Sequence, residues 1–196
     1  MSPRPYHMNR RATSASDTRH RIVEATAALH AEKGVAATTF RDIAARADVG
    51  LGTVYHHFPT YDHVITACGQ YSMAAAQPPQ TSAFASLRSP VARVRTMVRE
   101  LCGFYSRIPV LGRIRSERNA FAPLDAAFRH EEEQRRALID EALRGVRAGP
   151  RVRALAFSVL DFSVYESLVS AGLSHDVVVD ELATVILNRL NLRSTR

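Results

Sequence analysis

Tryptophan is absent from this 196-residue chain, cysteine occurs twice, and lysine occurs once, at Lys33. Two cysteines, Cys68 and Cys102, are too few for a disulfide framework or a four-ligand zinc site, so a stapled miniature fold is excluded. Both thiols read as small buried hydrophobes of a reducing compartment. Also missing is any apolar run of about 18 residues, the length a membrane span needs. Met1 to Arg11 carries charge without the apolar stretch of a secretion signal. The expected location is the cytoplasm, with no membrane partner. Neither a convincing strand run nor an internal repeat is present, which leaves an all-α fold.

What is present is apolar periodicity and positive charge. With 46% hydrophobic residues the chain is long enough to bury a substantial core. Twenty-six basic against nineteen acidic residues give a net charge of +7, and the pI is near 10.1. That sign suits a polyanionic partner, but composition alone does not select one. The near-exclusive use of arginine speaks more of a GC-rich genome than of function.

Residues 1–16 combine Pro3, Pro5, Arg4, Arg10 and Arg11 without apolar periodicity, and are expected to form a flexible basic arm. From Asp17, a suitable N-cap, Ile22, Ala25 and Leu29 share a helical face that stops at Gly34. Thr39 and Asp42 have capping-box spacing before the stripe Phe40, Ile43, Ala44 and Ala47. Asp48-Val49-Gly50 makes a tight turn, and Leu51 to Phe58 forms a second short helix ended by Pro59. The pattern is helix, turn, helix, within an expected DNA-binding domain at 17–63. Thr60 then caps a helix to Ala76, Gln77-Pro78-Pro79 breaks it, and Ser89-Pro90 opens another ended by Pro109. Pro123 starts a long charged helix that runs to the Gly149-Pro150 break. Two more helices are expected at 151–171, apolar on two faces, and at 176–192.

A helix-turn-helix reads DNA because its first helix props the second against the major groove, where side chains near the start of the second reach base edges. Arg41 has the fork geometry for guanine O6/N7 or a phosphate, or simply faces solvent. Thr53 offers a hydroxyl and a methyl, while Leu51 and Gly52 permit apolar contact and close approach. Thr39 caps its helix and also offers a hydroxyl to a phosphate. Adjacent His56 and His57 diverge by about 100° on a helix and have no acidic or thiol cluster around them, so no metal is expected there.

From Arg19 to about Cys68, roughly a quarter of the chain, the sequence resembles the tetracycline-repressor (TetR) family of bacterial transcription regulators. The resemblance rests on the run from Thr39 to Phe58, above all Ile43-Ala44, Ala47, Val49 and Gly52-Thr53-Val54-Tyr55-His56-His57-Phe58, with Gly34 at the fitting distance. It implies a small three-helix DNA-binding domain, a larger C-terminal domain that binds a small molecule and dimerises, and repression. It places Arg41 at the DNA and Tyr55, His56 and His57 on phosphates, and with Thr39, Leu51, Gly52 and Thr53, assigned from their chemistry, these are the expected DNA-binding residues. For Tyr55, packing of the ring within the domain is the alternative. Two departures stand out. Gly50 replaces a capping serine, and Tyr61 stands where a lysine is usual, a charge that Arg10, Arg11, Arg19 or Arg21 could replace.

Residues 64–196 carry no further motif. Met97, Phe104, Tyr105, Phe121, Phe128, Phe162 and Tyr165 are candidates to line an apolar effector cavity, although any helical core needs such residues. Asp161 and Glu166 lie in an apolar helix and must bind a ligand, pair with an arginine, or face solvent. Arg113, Arg115 and Arg118 suit an anionic ligand or the surface. No catalytic residue and no cofactor is expected, since phosphate-cradling loops, nucleophile elbows and zinc-protease spacings are missing. The expected partners are double-stranded DNA, a second copy of the chain and a small-molecule effector. The alternative is a helical enzyme or a protein-binding adaptor without DNA activity.

Overall fold

The computed structural model describes residues 8–108 and 110–192, and every regular element among them is helical. The helices are α1 (Met8–Lys33), α2 (Phe40–Arg46), α3 (Leu51–His57), α4 (Tyr61–Ala76), α5 (Pro90–Arg107), α6 (Leu111–Arg115), α7 (Ala122–Ala142), α8 (Pro150–Val159), α9 (Phe162–Ser170) and α10 (His175–Arg189). No described helix is long and apolar enough to cross a membrane. Two compact units form. The first takes the residues up to Ser72 together with Ser116–Asp125, and the second takes Met73–Arg115 with the residues from Ala126. The boundary expected after residue 63 therefore moves into α4. Val64 and Ala67 of that helix are buried in the core of the first unit, so its opening turns belong there.

In the first unit, Ile22, Val23, Ala25 and Leu29 of α1 meet Ile43 and Ala44 of α2, Val54 of α3 and Phe58 in one cluster. The arm expected at 1–16 is corrected in part, since α1 already begins at Met8. Residues 1–7, with Arg4, lie outside the described residues. Asp17 is thus no cap. Once α1 is nucleated against the core, extending it costs little per residue, and Arg and Ala favour extension.

The joint between α2 and α3 has defined chemistry. Asp48 adopts φ +52°, Val49 N donates to Ala44 O (3.0 Å) and Asp48 N to Ala45 O (3.4 Å). This is the paired closure of a Schellman motif, with aspartate in the left-handed position usually given to glycine. Val49 packs against the core just beyond it. Arg21 of α1 donates to Ala47 O (3.2 Å), satisfying another terminal carbonyl.

The second unit packs α10 against α5 around Val94, Met97, Val98 and Leu101 on one side and Val178, Leu182 and Ile186 on the other. The single helix expected at 151–171 is two helices, α8 and α9. The break lies at Leu160-Asp161, where Asp161 caps α9 by accepting from Ser163 N (3.0 Å). The two apolar faces read in the sequence are the separate faces of two short helices. Asp161 also accepts from Arg115 (2.7 Å) and from Arg135 (2.8 Å). The freed Leu160 carbonyl takes the Tyr105 hydroxyl (2.8 Å) and Arg135 (3.1 Å). Arg135 is 1% exposed, and only this company makes its burial tolerable. Arg93, also buried, donates to the carbonyls of Leu87, Arg88, Ala142 and Arg144.

One buried network in the first unit has a pH consequence. The Tyr61 hydroxyl donates to Val35 O (2.7 Å), so its oxygen must accept from His30 Nε2 at 3.1 Å. That fixes the proton on Nε2 and leaves Nδ1 to accept from the Cys68 thiol at 3.6 Å. Burial pushes the Cys68 thiol up to about 11 and the His30 imidazole down to about 4. His30 is therefore neutral in the folded unit, whereas the unfolded chain protonates it below its ordinary value of 6.5. Its contribution is complete above that value and is lost progressively as pH falls toward 4. At pH 5 this histidine alone is expected to cost the unit about 2 kcal/mol. Amide exchange of α1 and α3 between pH 7 and pH 5 measures it, and His30→Gln should flatten the slope. An equal slope in the variant removes His30 as the cause.

Candidate nucleic-acid interface

The cap of α2 comes first. Thr39 Oγ1 accepts from Asp42 N (3.2 Å), and Asp42 Oδ2 accepts from Thr39 N (2.8 Å), completing the capping box. The Thr39 hydroxyl proton also points to Asp42 Oδ2, at 2.7 Å. Lys33 reaches the same oxygen at 2.7 Å, and its ammonium is the main reason the Asp42 carboxyl is held down at about 2. The capping role of Thr39 is thus filled. To donate to a phosphate, its hydroxyl has to turn away from Asp42.

Arg41 is exposed on α2. Its neighbour Arg46 is committed, with two bonds of 2.8 and 2.6 Å to Glu32. On α3, Leu51, Val54 and Phe58 share the face turned to the core, and the first of them is half-buried against it. Leu51 was expected at the groove, but its side chain is largely occupied within the unit. Gly52, Tyr55 and His56 share the opposite, exposed face by their i, i+3, i+4 spacing, with Thr53 half-exposed beside them. A Cβ at Gly52 would meet no atom within 4 Å, so nothing in the chain itself demands glycine there. Gly50 caps α3 with backbone alone.

Tyr55 fits both readings offered by the sequence. Its ring packs edge-on against Phe40 at 4.7 Å between centroids, yet half of the residue is exposed. The His56 and His57 rings lie 5.4 Å apart, and no group of three or more metal-type ligands occurs among the described residues. His57 borders an open cleft of about 370 Å³ with Arg19, Phe58, His63, Thr66 and Gln70. The Arg19 guanidinium sits 4.9 Å above the Phe58 ring. Partial burial, then His56 and Arg19, lower the His57 pKa. Among the arginines considered as replacements for the missing lysine, Arg21 is engaged with Ala47 O, whereas Arg19 lies in this basic cleft.

Tyr61 does not occupy the surface as a lysine would. Its hydroxyl is tied to Val35 and His30, and its ring meets those of Phe40 and Phe121. Sequence reading missed this tie and also Glu117, whose carboxylate accepts from Val35 N (2.6 Å) and Ala36 N (3.2 Å). No local signal marks a contact between partners 82 positions apart in the chain.

The candidate effector residues separate. Met97, Phe104, Tyr105, Phe128, Phe162 and Tyr165 are all buried in the packed core of the second unit, 7% exposed at most. Phe121 belongs to the first unit. Of the carboxylates left open by the sequence, Asp161 pairs with arginines as described, and Glu166 is exposed. Arg115 and Arg118 are paired with Asp161 and Asp125.

This arrangement of short helices matches known proteins. Residues 22–68 match the family described as bacterial regulatory proteins, tetR family. Over 125 residues the chain is 34% identical to the HTH-type transcriptional repressor KstR of Mycobacterium tuberculosis, covering 63% of this chain and 56% of that one. The chain spans little more than half the length of the curated KstR relatives it matches. Among solved structures, the multidrug binding protein EbrR complexed with imidazole superposes with a TM-score of 0.64 at 24% identity, over 97% of each chain. A transcriptional regulator of Rhodococcus sp. Rha1 gives 0.64 at 19% identity, over 87% of this chain and 96% of that one. The structural matches share the fold, and the matched residues carry the turn, cap and exposed α3 face just described. The match to the tetR family of bacterial regulatory proteins lies in residues 22–68, about a quarter of the chain.

Proposed function

We propose that this protein is a sequence-specific regulator of transcription that binds double-stranded DNA as a homodimer, acts as a repressor, and releases DNA in response to a small molecule. The observation that carries the reading is the outer face of α3. Gly52, Tyr55 and His56 lie there together, and Gly52 leaves a flat spot the chain does not need for its own packing, which suits close approach to a groove. Arg41 supplies a guanidinium from α2. Tyr55, His56 and His57 supply groups for phosphates. Repression is the role stated for KstR, and it comes to this chain through the shared domain. An effector that enters among Met97, Tyr105 and Phe162 has to part a packed core, so its affinity includes that opening.

A two-fold dimer presents two copies of α3, so the bound site should be a near-palindrome with half-sites about 34 Å apart or a multiple of that. Selection from a random duplex library followed by footprinting reads the symmetry. Arg41→Ala should cost about 1–3 kcal/mol and relax one position per half-site if Arg41 reads guanine. An asymmetric footprint, or unchanged binding by the variant, overturns this part of the reading.

His57 gives a pH dependence with a definite sign. Its pKa is lowered in the free protein, and a phosphate brought beside it would raise it, so binding takes up a proton and strengthens as pH falls through the neutral range. His57→Gln should abolish that increment and weaken all duplexes alike. A pH-independent affinity in the parent protein would rule out a phosphate at His57.

Dimerisation is supported by the apolar surface left on the second unit. Val169 of α9 and Val177 and Val185 of α10 are 40–46% exposed, and the last two stand eight residues apart on one helical stripe. Pairing such faces gives a four-helix contact. Val185→Asp should shift the protein toward monomer in light scattering and weaken DNA binding with it. A parent protein that is monomeric at micromolar concentration would exclude this interface.

A further inference from the structure

The segment Ser116–Asp125 packs within the first unit, although the chain on either side of it belongs to the second. An ion pair of 2.7 Å between Arg118 and Asp125 closes it. It engages the turn after α1 through Glu117 and the start of α4 through Phe121. Glu117 Oε2 accepts from the backbone N–H groups of Val35 and Ala36. Gly34 makes room for that carboxylate, because it holds φ +89° and a Cβ there would lie 2.5 Å from Glu117 Oε1. Phe121 meets the Tyr61 ring edge-on at 5.9 Å. From there Tyr61 meets Phe40 at 5.7 Å, and Phe40 meets Tyr55 at 4.7 Å. All three contacts are edge-to-face, the arrangement in which one ring's tilt limits the next. Tyr61 is pinned at its far end by the Val35 carbonyl, and the amide of the same residue is pinned by Glu117.

We infer that Glu117 and Phe121 are positioning residues for DNA binding. They fix the tilt of Tyr61, Tyr61 fixes Phe40, and Phe40 sets the angle at which the Tyr55 ring leaves α3. The inference rests on the DNA-binding reading above. It adds that part of the affinity made at Tyr55 is set by a segment some sixty residues downstream. α3 has only seven residues, too short to hold a ring's direction by itself. Phe40 is its aromatic neighbour among the described residues.

The test is a double-mutant cycle in the full chain, read with a duplex enriched from a random library and with 3-fluorotyrosine NMR of Tyr55. Glu117→Ala and Phe121→Leu should each weaken binding about tenfold, within the range of ordinary site-to-site coupling. Glu117→Gln should restore most of the loss, because a single amide oxygen can accept from both N–H groups as Oε2 does. In a Tyr55→Ala background the two losses should shrink to within about twofold, which a general weakening of the unit would not produce. The Tyr55 fluorine resonance should shift in Glu117→Ala and Phe121→Leu without DNA, and return in Glu117→Gln. Full losses that persist in the Tyr55→Ala background overturn the inference. If the parent protein enriches no duplex, the DNA-binding reading fails by itself, and an unmoved Tyr55 resonance then overturns the positioning claim as well.

Discussion

The backbone of Val35 is held on both sides of its Cα, its N–H by the Glu117 carboxylate and its C=O by the Tyr61 hydroxyl. Val35 is 1% exposed, so neither polar group has water as a ready substitute. Leaving the Val35 N–H unpaired would cost about 1–3 kcal/mol, whereas the C=O also accepts from Thr38 N (3.2 Å). The two bonds determine where α1 ends and the direction in which the chain enters α2. Thr38 adds a third constraint by donating its hydroxyl to Gly34 O (2.7 Å). Everything on the outer face of α2 and α3 stands on this turn. The donors and acceptors around it also fix the tautomer of His30, whose Nε2 proton goes to the oxygen that Tyr61 presents after serving Val35, while burial keeps the ring neutral.

Local chemistry was legible in the sequence. Thr39 with Asp42 forms the capping box its spacing announces, Ser89 with Pro90 opens α5, and Asp48-Val49-Gly50 turns the chain between two short helices. Each of these is decided within a few residues. The elements that escaped reading are decided elsewhere. α8 and α9 looked like one helix because periodicity tracks apolar faces and is blind to a cap inside them. Asp161 breaks the run because Arg115 and Arg135, which are 46 and 26 residues away, make its carboxylate worth burying. Tyr61 read as a lost lysine because the motif position was visible and its partners, His30, Val35 and Phe121, were not. Of the face proposed for DNA, Gly52, Tyr55 and His56 share one exposed side of α3, while Leu51 turns to the core because its spacing to Val54 and Phe58 puts it there.

The charge balance of +7 also changes meaning once the arginines are placed. Arg21, Arg93 and Arg135 donate to backbone carbonyls at or near helix ends, and Arg46, Arg115, Arg118 and Arg153 pair with carboxylates. A guanidinium has five donors in a rigid fork, so it serves several acceptors where an ammonium would serve as a point charge. Most of the arginines placed here thus have a structural part. The proposed attraction toward DNA is therefore better judged from Arg19, Arg41 and the histidines around α3 than from the net figure.

That placement bears on how firmly the surface proposed to read DNA is held. Helices of seven residues are unstable alone, so α2 and α3 take their geometry from Ile43, Ala44 and Val54 in the core and from the rings beside them. An aromatic pair such as Phe40 and Tyr55 adds about 0.5–1.5 kcal/mol beyond the area it buries. A surface held at its outer edge by energies of that size keeps its backbone when a neighbouring ring shifts, yet loses the alignment of a side chain. Under the DNA-binding proposal, an affinity built from several phosphate contacts would then fall by a factor, contact by contact, with the fold not at risk. Weak ring contacts at the edge and strong aliphatic packing beneath them are what allow such a domain to be adjusted without being unfolded.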